Sequence, residues 1–489
     1  GSHYASERIA TQFTVNAGTN GTPTVAGGVP LTFGPDFVNG ATGRGSVSMG
    51  GAASVHPDLT NRGANLKYRY DDGRWRLNAG YDRSTSAGGY LGTDAGNFRQ
   101  FAITSSAPLR VNFRGSDPVR PTTIEIFDNN NVPWDMNDLR NYTLNTANST
   151  PRSTRDEVET LSASARRTID ALAFPASIEL GAMRREQTRD IRRYNMNWTY
   201  NGINGDRSPL PFASTLANNA DNYYGFESFP HVSPVLAWRA FEANPALFSK
   251  TAAQLVAEES FRITNSLAFE ETVSALYLQA EATLLSGRLK VVTGVRYEET
   301  DVSGVGPLVD PAAVWVRDPD GTFARDANGA RIRKPEAGAV NSLEQLALTH
   351  RERAASNGAV YDGYYPSLHF TYNVSDNLLV RLAYAQTYGR PNLTEIIPNT
   401  TIDEFDLDDP NAIQGNITVT NPALKPWSAD NYDLSVEYYT DQGGHFTIGA
   451  FHKDVTDFFG TSVFITTLED TEALGLDPEY VNWRVTTRL

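Results

Sequence analysis

The sequence predicts an all-β fold: an antiparallel transmembrane β-barrel, partial at about 11 or 12 strands, with long extracellular loops that contain short helices. Three observations carry this prediction. Segments of about ten residues alternate apolar and polar side chains. Short and long connections between the segments alternate strictly, and tyrosines cluster near the segment ends. The 39 glycines, 22 tyrosines and 23 phenylalanines among 489 residues favour strands and turns over packed helices.

Charge and composition argue against several classes of protein. The net charge of −15 disfavours nucleic acid as a partner, because nucleic-acid binding needs a basic face. The lack of cysteine removes disulfides, thiolate nucleophiles and thiolate metal sites. No run of about 18 apolar residues occurs, so we expect no membrane-spanning helix. That limit does not apply to barrel strands, whose alternation looks ordinary on average.

The chain begins with a Gly-, Thr- and Asn-rich segment, residues 1–63, which is predicted to be a loop with one or two short strands. We expect the barrel to occupy residues 64–489. Its first clear hairpin joins Asn65–Tyr70 to Trp75–Tyr81 around Asp71-Asp72-Gly73, because glycine tolerates the positive φ of a tight turn.

Four further hairpins follow by the same reasoning from alternation and turn residues. They are Val158–Ile169 with Ala176–Glu186, Val273–Leu284 with Leu289–Glu298, Tyr365–Val374 with Leu378–Tyr388, and a last pair, around Asp441-Gln442-Gly443-Gly444, that carries Leu434, Val436 and Tyr438 on one strand and Phe446, Ile448 and Ala450 on the other. Val481–Arg488 is predicted to begin an eleventh strand without a partner.

The spacing of the hairpins separates a membrane barrel from a soluble sandwich. Turns within hairpins are short, whereas the gaps between hairpins cover residues 83–157, 187–272, 299–363 and 389–431. Compact soluble domains rarely carry connections longer than about 15 residues. Outer-membrane barrels combine tight periplasmic turns with long extracellular loops. Alternating faces alone would also fit a soluble sandwich, so the rhythm of the connections decides for the barrel.

Two sets of side chains follow from the barrel prediction. Tyrosines near strand ends suit a membrane interface, although the ordinary preference of tyrosine for strands is the alternative: Tyr297, Tyr364, Tyr365, Tyr384, Tyr388, Tyr438 and Tyr439. Polar residues in the opposite phase are expected to face the lumen, or solvent if the protein were soluble: Glu179, Arg185, Gln279, Glu281, Arg296, Glu298, Arg381, Glu437 and Lys453.

Helices are expected inside two of the long loops. Asn244-Pro245 predicts a helix start, with Asn as N-cap and Pro at the first helical position, followed by apolar residues at helical spacing. Ser342–Ala355 is the second candidate. Helices in loops of this size indicate folded rather than disordered loops.

No catalytic constellation is apparent. The seven histidines are scattered without H-E-x-x-H spacing, and neither a G-x-S-x-G elbow nor a phosphate-binding G-x-x-x-x-G-K-[ST] loop occurs. The acidic stretch Asp403–Asp409 offers oxygen ligands for calcium but lacks the EF-hand order, which favours a solvated loop. We therefore expect no enzyme, no metal site and no cofactor.

Aromatic clusters in the loops are the candidates for ligand binding. Exposed rings beside Asn and Asp suit planar or sugar-like ligands, and internal packing of a long loop is the alternative. The candidates are Trp198, Tyr200, Tyr223, Tyr224 and Trp238.

The last hairpin and the strand before it also carry a family resemblance. Over about 80 residues, short motifs follow one another in an order that resembles the barrel of TonB-dependent outer-membrane receptors of the proteobacterial type: Arg381, Ala383, Arg390-Pro391, Asn421-Pro422, Leu424-Lys425-Pro426, Asn431-Tyr432-Asp433, Glu437-Tyr438, Phe451, Lys453 and Asp457-Phe458. The resemblance implies a barrel of about 22 strands that is filled by a plug, because a barrel that wide would otherwise be an open pore. It also implies outer-membrane lipid and the TonB protein as partners, and active import of a siderophore, cobalamin or an oligosaccharide.

The chain departs from that pattern because no signal peptide, TonB box, plug or C-terminal aromatic residue is recognisable. We therefore expect a barrel fragment that lacks the plug and the C-terminal strands, with TonB contacted through the missing plug. Two alternatives stay open at this point. One is a smaller passive porin, and the other is a secreted soluble all-β carbohydrate-binding or hydrolytic protein.

Overall fold

The computed structural model describes residues 2–5, 12–50, 57–115, 121–215, 230–319, 323–391, 400–404, 413, 415–420, 424, 426–473, 476 and 478–488. One antiparallel sheet of eleven strands, here called the wall, dominates the fold. Its strands are β1 (Ser2–Ala5), β2 (Pro57–Asp71), β3 (Trp75–Tyr90), β4 (Arg152–Thr168), β5 (Ala176–Arg193), β6 (Leu267–Leu284), β7 (Leu289–Val309), β8 (His350–Ser375), β9 (Leu378–Gly389), β10 (Trp427–Tyr439) and β11 (His445–Thr456).

Each wall strand pairs with the next one along the chain, so the wall is an up-and-down meander. All five predicted hairpins are present, and the all-β prediction is confirmed. In the β2–β3 turn, Asp72 Oδ1 accepts hydrogen bonds from the amides of Arg74 (2.9 Å) and Trp75 (2.6 Å). Gly73 supplies the positive φ of 84° that this turn needs.

Short and long connections alternate from end to end of the wall. Turns of a few residues join strands within each hairpin, whereas the long connections cover residues 6–56, 91–151, 194–266, 310–349 and 390–426. Because strand direction reverses at every step, all the long connections lie at the same end of the wall. The strands extend further into these connections than predicted. β8 begins at His350 rather than at Tyr365, and it is 26 residues long.

One face of the wall carries an apolar band. The register places Leu382, Leu434 and Ala450 side by side on β9 to β11, and Val380, Val436 and Ile448 in the next row. Phe446 is 67% exposed and Ile448 is 78% exposed. On β7 the band runs from Leu289 to Tyr297, which is about 26 Å along a strand and matches the hydrocarbon band of a membrane barrel. Arg381 and Glu437 occupy the opposite phase, as expected.

Tyrosines border this band at its loop side. Tyr297 lies beside Tyr364, with ring centroids 5.0 Å apart, and Tyr384 lies beside Tyr432 at 5.1 Å. The Tyr384 hydroxyl donates to Asp430 Oδ1 at 2.8 Å, which marks the change from apolar to charged side chains.

The predicted set of interface tyrosines is partly wrong. Tyr365 pairs with Arg296 across the sheet, so it lies on the polar face, where its ring stacks on Tyr388 at 4.5 Å. Tyr439 pairs with His445 in the same phase as Glu437, to which its hydroxyl donates. Position near a strand end does not specify a face, and one residue of offset reverses it.

Three of the long connections build a common cap. Its six-stranded antiparallel sheet has the order Phe248–Ser249, Met196–Tyr200, Tyr142–Ser149, Gln100–Ser105, Ser46–Gly50 and Gln12–Asn16. Helix α1 (Pro234–Ala243) packs on it. Phe98 is fully buried at the centre of the cap core, with ring centroids 5.3 Å from Trp198, 5.1 Å from Trp238 and 4.9 Å from Phe248. The loops are therefore one folded unit rather than separate ribbons.

Smaller sheets complete the loop side. One contains Thr123–Phe127, Arg110–Arg114, Phe37–Asn39 and Thr32–Gly34, another pairs Ala213–Ser214 with His231–Val232, and the last contains Thr400–Glu404, Gly415–Val419, Arg484–Arg488 and Thr461–Ile465. The prediction of an unpaired eleventh wall strand at Val481–Arg488 is wrong. Arg484–Arg488 lies between Gly415–Val419 and Thr461–Ile465 in the last of these sheets. The strand that completes the count of eleven in the wall is β1, which pairs with β2.

The N-terminal segment and the helices also differ from expectation. The described part of residues 1–63 contains four complete short strands besides β1, and β2 runs through the expected boundary at residue 63. Asn244 caps only a 3-10 turn, while helix α2 (Ala252–Thr264) starts from a capping box at Thr251 and Gln254. Helix α3 (Leu343–Thr349) starts at the predicted N-cap Ser342 but ends where β8 begins. A further helix among the described residues is Leu468–Ala473.

The outward direction of the apolar band is testable with a pair of adjacent substitutions on β6. Leu278→Arg puts a charge into the band and is expected to lower the free energy of unfolding in lipid by about 2–4 kcal/mol. Gln279→Arg places the same side chain on the polar face and is expected to change it little. Denaturant unfolding of the protein in vesicles measures both, and equal losses would contradict the orientation of the wall.

The shared core of the cap is testable at Phe98. Phe98→Ala is expected to cost about 3–5 kcal/mol of cap stability, because a buried aromatic ring leaves a cavity. Amide hydrogen exchange should therefore accelerate in the cap strands from all three connections and not in the wall. Phe33→Ala is the matched control, since Phe33 is largely exposed. Acceleration confined to one connection would show that the loops are independent.

Candidate functional site on the polar face of the wall

The polar face gathers the residues that were predicted to face the lumen. Arg296 Nη2 lies 2.6 Å from Glu298 Oε2, and Arg381 Nε lies 2.8 Å from Glu437 Oε1. Lys453 Nζ lies 5.8 Å from the ring centroid of Trp427, in the same phase. Arg296, Arg381, Glu437 and Lys453 all lie on the face opposite the apolar band. Their position in a lumen remains a prediction.

Arg390 is the centre of the densest network on this face. It follows β9 and reaches back across β8, so that its Nη1 lies 3.1 Å from Glu271 Oε1 on β6 and its Nη2 lies 2.6 Å from Glu298 Oε1 on β7. Nη2 also donates to the Tyr388 hydroxyl at 2.7 Å. One side chain thus joins the end of β9 to β6 and β7, which lie on the far side of β8.

The network continues toward the other side of the wall. Arg185 on β5 also donates to Glu271 Oε1 at 3.1 Å, and it bonds Gln187 on the same strand. Gln187 and Arg189 both donate to Asp156 on β4, at 3.1 Å and 2.7 Å. The polar face therefore carries a continuous chain of charge-assisted hydrogen bonds from the end of β9 to β4.

Burial makes these ion pairs strong and costly to break. Glu271 is 8% exposed and Glu298 is 5% exposed, so neither carboxylate is compensated by water. A buried carboxylate that loses its guanidinium partner retains the desolvation penalty without the attraction. The chain as a whole is acidic, but this network has one more positive than negative charge. It contains three carboxylates, of Asp156, Glu271 and Glu298, and the four guanidinium groups of Arg185, Arg189, Arg296 and Arg390.

A second network ties the loop end of the wall to helix α2. Arg353 lies at a β-bulge in β8 with a left-handed φ of 51°, a conformation that is strained for arginine. From there it bonds Asp190 on β5 (2.6 Å) and Ser266 before β6 (2.9 Å). The bulge thus aims one side chain across two intervening strands.

Helix α2 joins this network through Arg262, which bonds Glu352 Oε2 at 2.5 Å and Glu259 Oε1 at 2.7 Å. The guanidinium of Arg262 holds the pKa of the Glu259 carboxyl below its usual value, so this pair stays ionised near neutral pH. Helix α2 also packs against Met196–Tyr200 of the cap, so it contacts both the cap and the wall.

A tyrosine over a glycine stiffens the polar face below these networks. The ring of Tyr277 lies over Gly181 on the next strand, and its hydroxyl donates to Glu179 at 2.7 Å. A Cβ at Gly181 would lie only 2.2 Å from the ring, so any larger residue there would displace Tyr277 from this position.

The aromatic candidates for ligand binding lie in different places. Trp198 is 7% exposed and Tyr200 is 0% exposed, because both rings belong to the cap core. The expectation that these two rings are exposed is therefore wrong, because they pack inside the core of the cap. Trp238 packs against the same core while partly exposed. Tyr223 and Tyr224 lie outside the described residues. The ligand-binding role of these residues stays a prediction.

Sequence reasoning missed Glu271, Arg353 and the role of Arg390. Glu271 was detectable, since it lies in phase with Gln279 and Glu281 on β6. Arg353 was not detectable from the sequence. It lies at a bulge, and the bulge interrupts the alternation from which the face of each side chain is predicted. Arg390 falls at the end of a strand and bonds residues far away in sequence, which no local pattern indicates.

Among the described residues, no group of three or more His, Asp or Glu side chains could hold a metal ion. None of the helices found in those residues is long and apolar enough to cross a membrane.

Comparison with known proteins identifies one family. The model described as "TonB dependent receptor-like, beta-barrel" matches residues 3–482. No curated protein matches the chain.

Several solved structures resemble the chain. The alcaligin outer membrane receptor of Bordetella pertussis is 9% identical, with a TM-score of 0.34 over 87% of this chain and 50% of that one. The hemophore receptor of Serratia marcescens, solved with its hemophore and heme, is 10% identical, with a TM-score of 0.36 over 95% and 55%. The siderophore receptor PirA of Pseudomonas aeruginosa is 11% identical, with a TM-score of 0.31 over 99% and 60%. The chain therefore spans little more than half the length of these structures.

The energetic role of Arg390 is testable by a double-mutant cycle. Arg390→Ala is expected to lower the free energy of unfolding by about 2–3 kcal/mol, since Glu271 and Glu298 each lose one of their two arginine partners and keep only Arg185 and Arg296. Adding Glu298→Gln to that variant should restore part of the loss, because it removes one buried charge that has lost a partner. Arg381→Ala is the control: its guanidinium is half exposed and should contribute about 1 kcal/mol or less. Equal losses in the two arginine variants would contradict the special role of Arg390.

Proposed function

Because this chain belongs to the TonB-dependent receptor-like β-barrel family, which consists of transport receptors of the bacterial outer membrane, we propose that it forms the wall of an active importer for a scarce nutrient. The single observation that supports the proposal is the two-faced wall. One face carries an apolar band bordered by tyrosines, and the other a continuous charged network. The apolar band faces lipid and the polar face lines the path of the ligand.

Coupling to TonB through a plug is part of the same proposal. A wall that continues into a barrel as wide as those of the receptors compared above needs an internal obstruction to hold a gradient of ligand. The chain spans 50% to 60% of the length of three such receptors. The plug and further strands are therefore proposed to belong to a longer polypeptide of which this sequence is a part. The charged network on the polar face is the surface that such a plug would contact.

The transported ligand is proposed to be a small molecule of the siderophore, cobalamin or oligosaccharide class. The compared receptors are described for alcaligin, for heme carried by a hemophore, and for a siderophore. Within this chain, the network around Arg185 and Arg390 has one more positive than negative charge, and that excess favours an anionic ligand such as a ferric siderophore. The oligosaccharide reading rested on exposed loop rings, and Trp198 and Tyr200 no longer support it.

Uptake in cells tests the function. The full-length protein is expressed in a Gram-negative host that lacks its own receptors, and uptake of labelled ferric siderophores, cobalamin and oligosaccharides is measured with and without TonB. We expect one class to accumulate only when TonB is present, and we expect dissipation of the proton gradient to abolish the accumulation. Accumulation independent of TonB would indicate a passive porin, and recovery of the protein from the medium without detergent would indicate a secreted soluble protein.

A further inference from the structure

The pairing between β8 and β9 stops partway along the wall. Its last pair on the loop side is Ser367–Ala385, although β8 extends to His350 and β9 to Gly389. The residue of β8 that would pair next is Pro366, which has no N–H to donate to β9. The rest of β9, about 13 Å of strand, therefore faces β8 without a hydrogen-bonded partner on that side among the described residues. This gap between the two strands is called the slot below.

The slot opens at the lipid border of the wall. Pro366 lies opposite Val295 within the apolar band, one row before the border tyrosines Tyr297 and Tyr364. On the other side of the slot, the border tyrosine Tyr384 belongs to the last pair but one between β8 and β9. The outer edge of the slot is therefore at the depth where acyl chains meet lipid headgroups.

The ring of Tyr388 lies in the slot. The register with β10 pairs Tyr388 with Ser428, in the same phase as Tyr432 on the apolar face. Its ring nevertheless stacks on Tyr365 of the polar face, with centroids 4.5 Å apart, and its hydroxyl accepts from Arg390 at 2.7 Å. The side chain reaches these partners because no paired backbone separates it from them. A side chain, rather than a ladder of backbone hydrogen bonds, therefore closes this part of the wall.

We propose that the slot is a lateral entrance, through which an amphiphile with an acyl chain passes from the outer leaflet to the polar face, and that the Tyr388 ring is its stopper. Molecules that reside in the leaflet reach the slot because its outer edge lies at the lipid border. Val360 and Tyr364, both largely exposed on the lipid side of β8, form an apolar approach for the chain. Peptide groups that no described strand satisfies offer hydrogen bonds to the polar head.

The stopper is held by side-chain contacts alone. A ring stack on Tyr365 and contacts with Arg390 keep Tyr388 in place, and rotation of the side chain releases them without disturbing the pairing of β9 with β10. Arg390 keeps its carboxylate partners Glu271 and Glu298 when the ring leaves. The entrance does not depend on the proposed import, since a molecule in the leaflet would use it in an importer and in a porin alike.

Fluorescence quenching in vesicles tests the entrance. This chain contains no cysteine, so Ser367→Cys adds one labelling site on the polar face beside the slot, once any cysteine elsewhere in the full-length protein is replaced by serine. The labelled full-length protein is reconstituted with phospholipid that carries a nitroxide quencher near the head of its acyl chain. We expect quenching to rise about twofold or more with Tyr388→Ala and with Tyr388→Leu, because both shift the slot toward its open state. Tyr388→Phe keeps the ring and should quench as the labelled parent does.

The matched control is Tyr384→Ala, because Tyr384 lies in the same phase of β9 where β8 is still paired. It should leave quenching of the Ser367→Cys label unchanged. A label at Leu368→Cys, on the lipid side of β8, should be quenched equally in every variant, which identifies a folded and inserted wall. Quenching of the Ser367→Cys label that is the same in the parent, in Tyr384→Ala and in the ring-deleted variants overturns the proposal.

Discussion

The structure depends on lateral hydrogen bonding between neighbouring strands. A strand in hydrocarbon has no water to satisfy its peptide groups, so each N–H and C=O must find a partner on an adjacent strand. Consecutive strands of this wall meet that demand with almost unbroken registers, such as the one that runs from Ala176–Ala282 to Ile191–Leu267 between β5 and β6. Since side chains alternate with a period of two, a fixed register also fixes which residues face lipid.

The two faces then solve opposite problems. The apolar face needs no internal partners, and its leucines, valines and tyrosines form rows across neighbouring strands. The charged face has to keep charge solvated or paired. It does so through links that skip strands: Arg390 reaches over β8, and Arg166 on β4 reaches over β5 to Glu281 at 3.0 Å. Such links resist bending of the sheet, whereas neighbour-to-neighbour hydrogen bonds alone would leave it free to flex.

Much of this was readable from the chain. Alternation and turn residues located every long hairpin, because both signals are local, and the alternation of short and long connections distinguished a membrane barrel from a soluble sandwich. The cap was not readable. Phe98, Trp198 and Phe248 come from distant stretches, and only the fold brings them into one core. Trp198 and Tyr200 illustrate the limit well: the same aromatic pattern fits an exposed binding surface and a buried core, and burial is a property of the partners rather than of the residues.

The capping sheet has a consequence for how this region can vary. Loops that stand apart can gain, lose or exchange residues one at a time without mutual penalty. Here residues from Val47 on one connection to Phe248 on another share a single aromatic interior, so a change in one has to be matched in the rest. The outermost part of the molecule, usually its most divergent, is thereby bound to co-vary as a block. Sequence drift should concentrate instead at its rim, where side chains such as Phe33 are largely exposed.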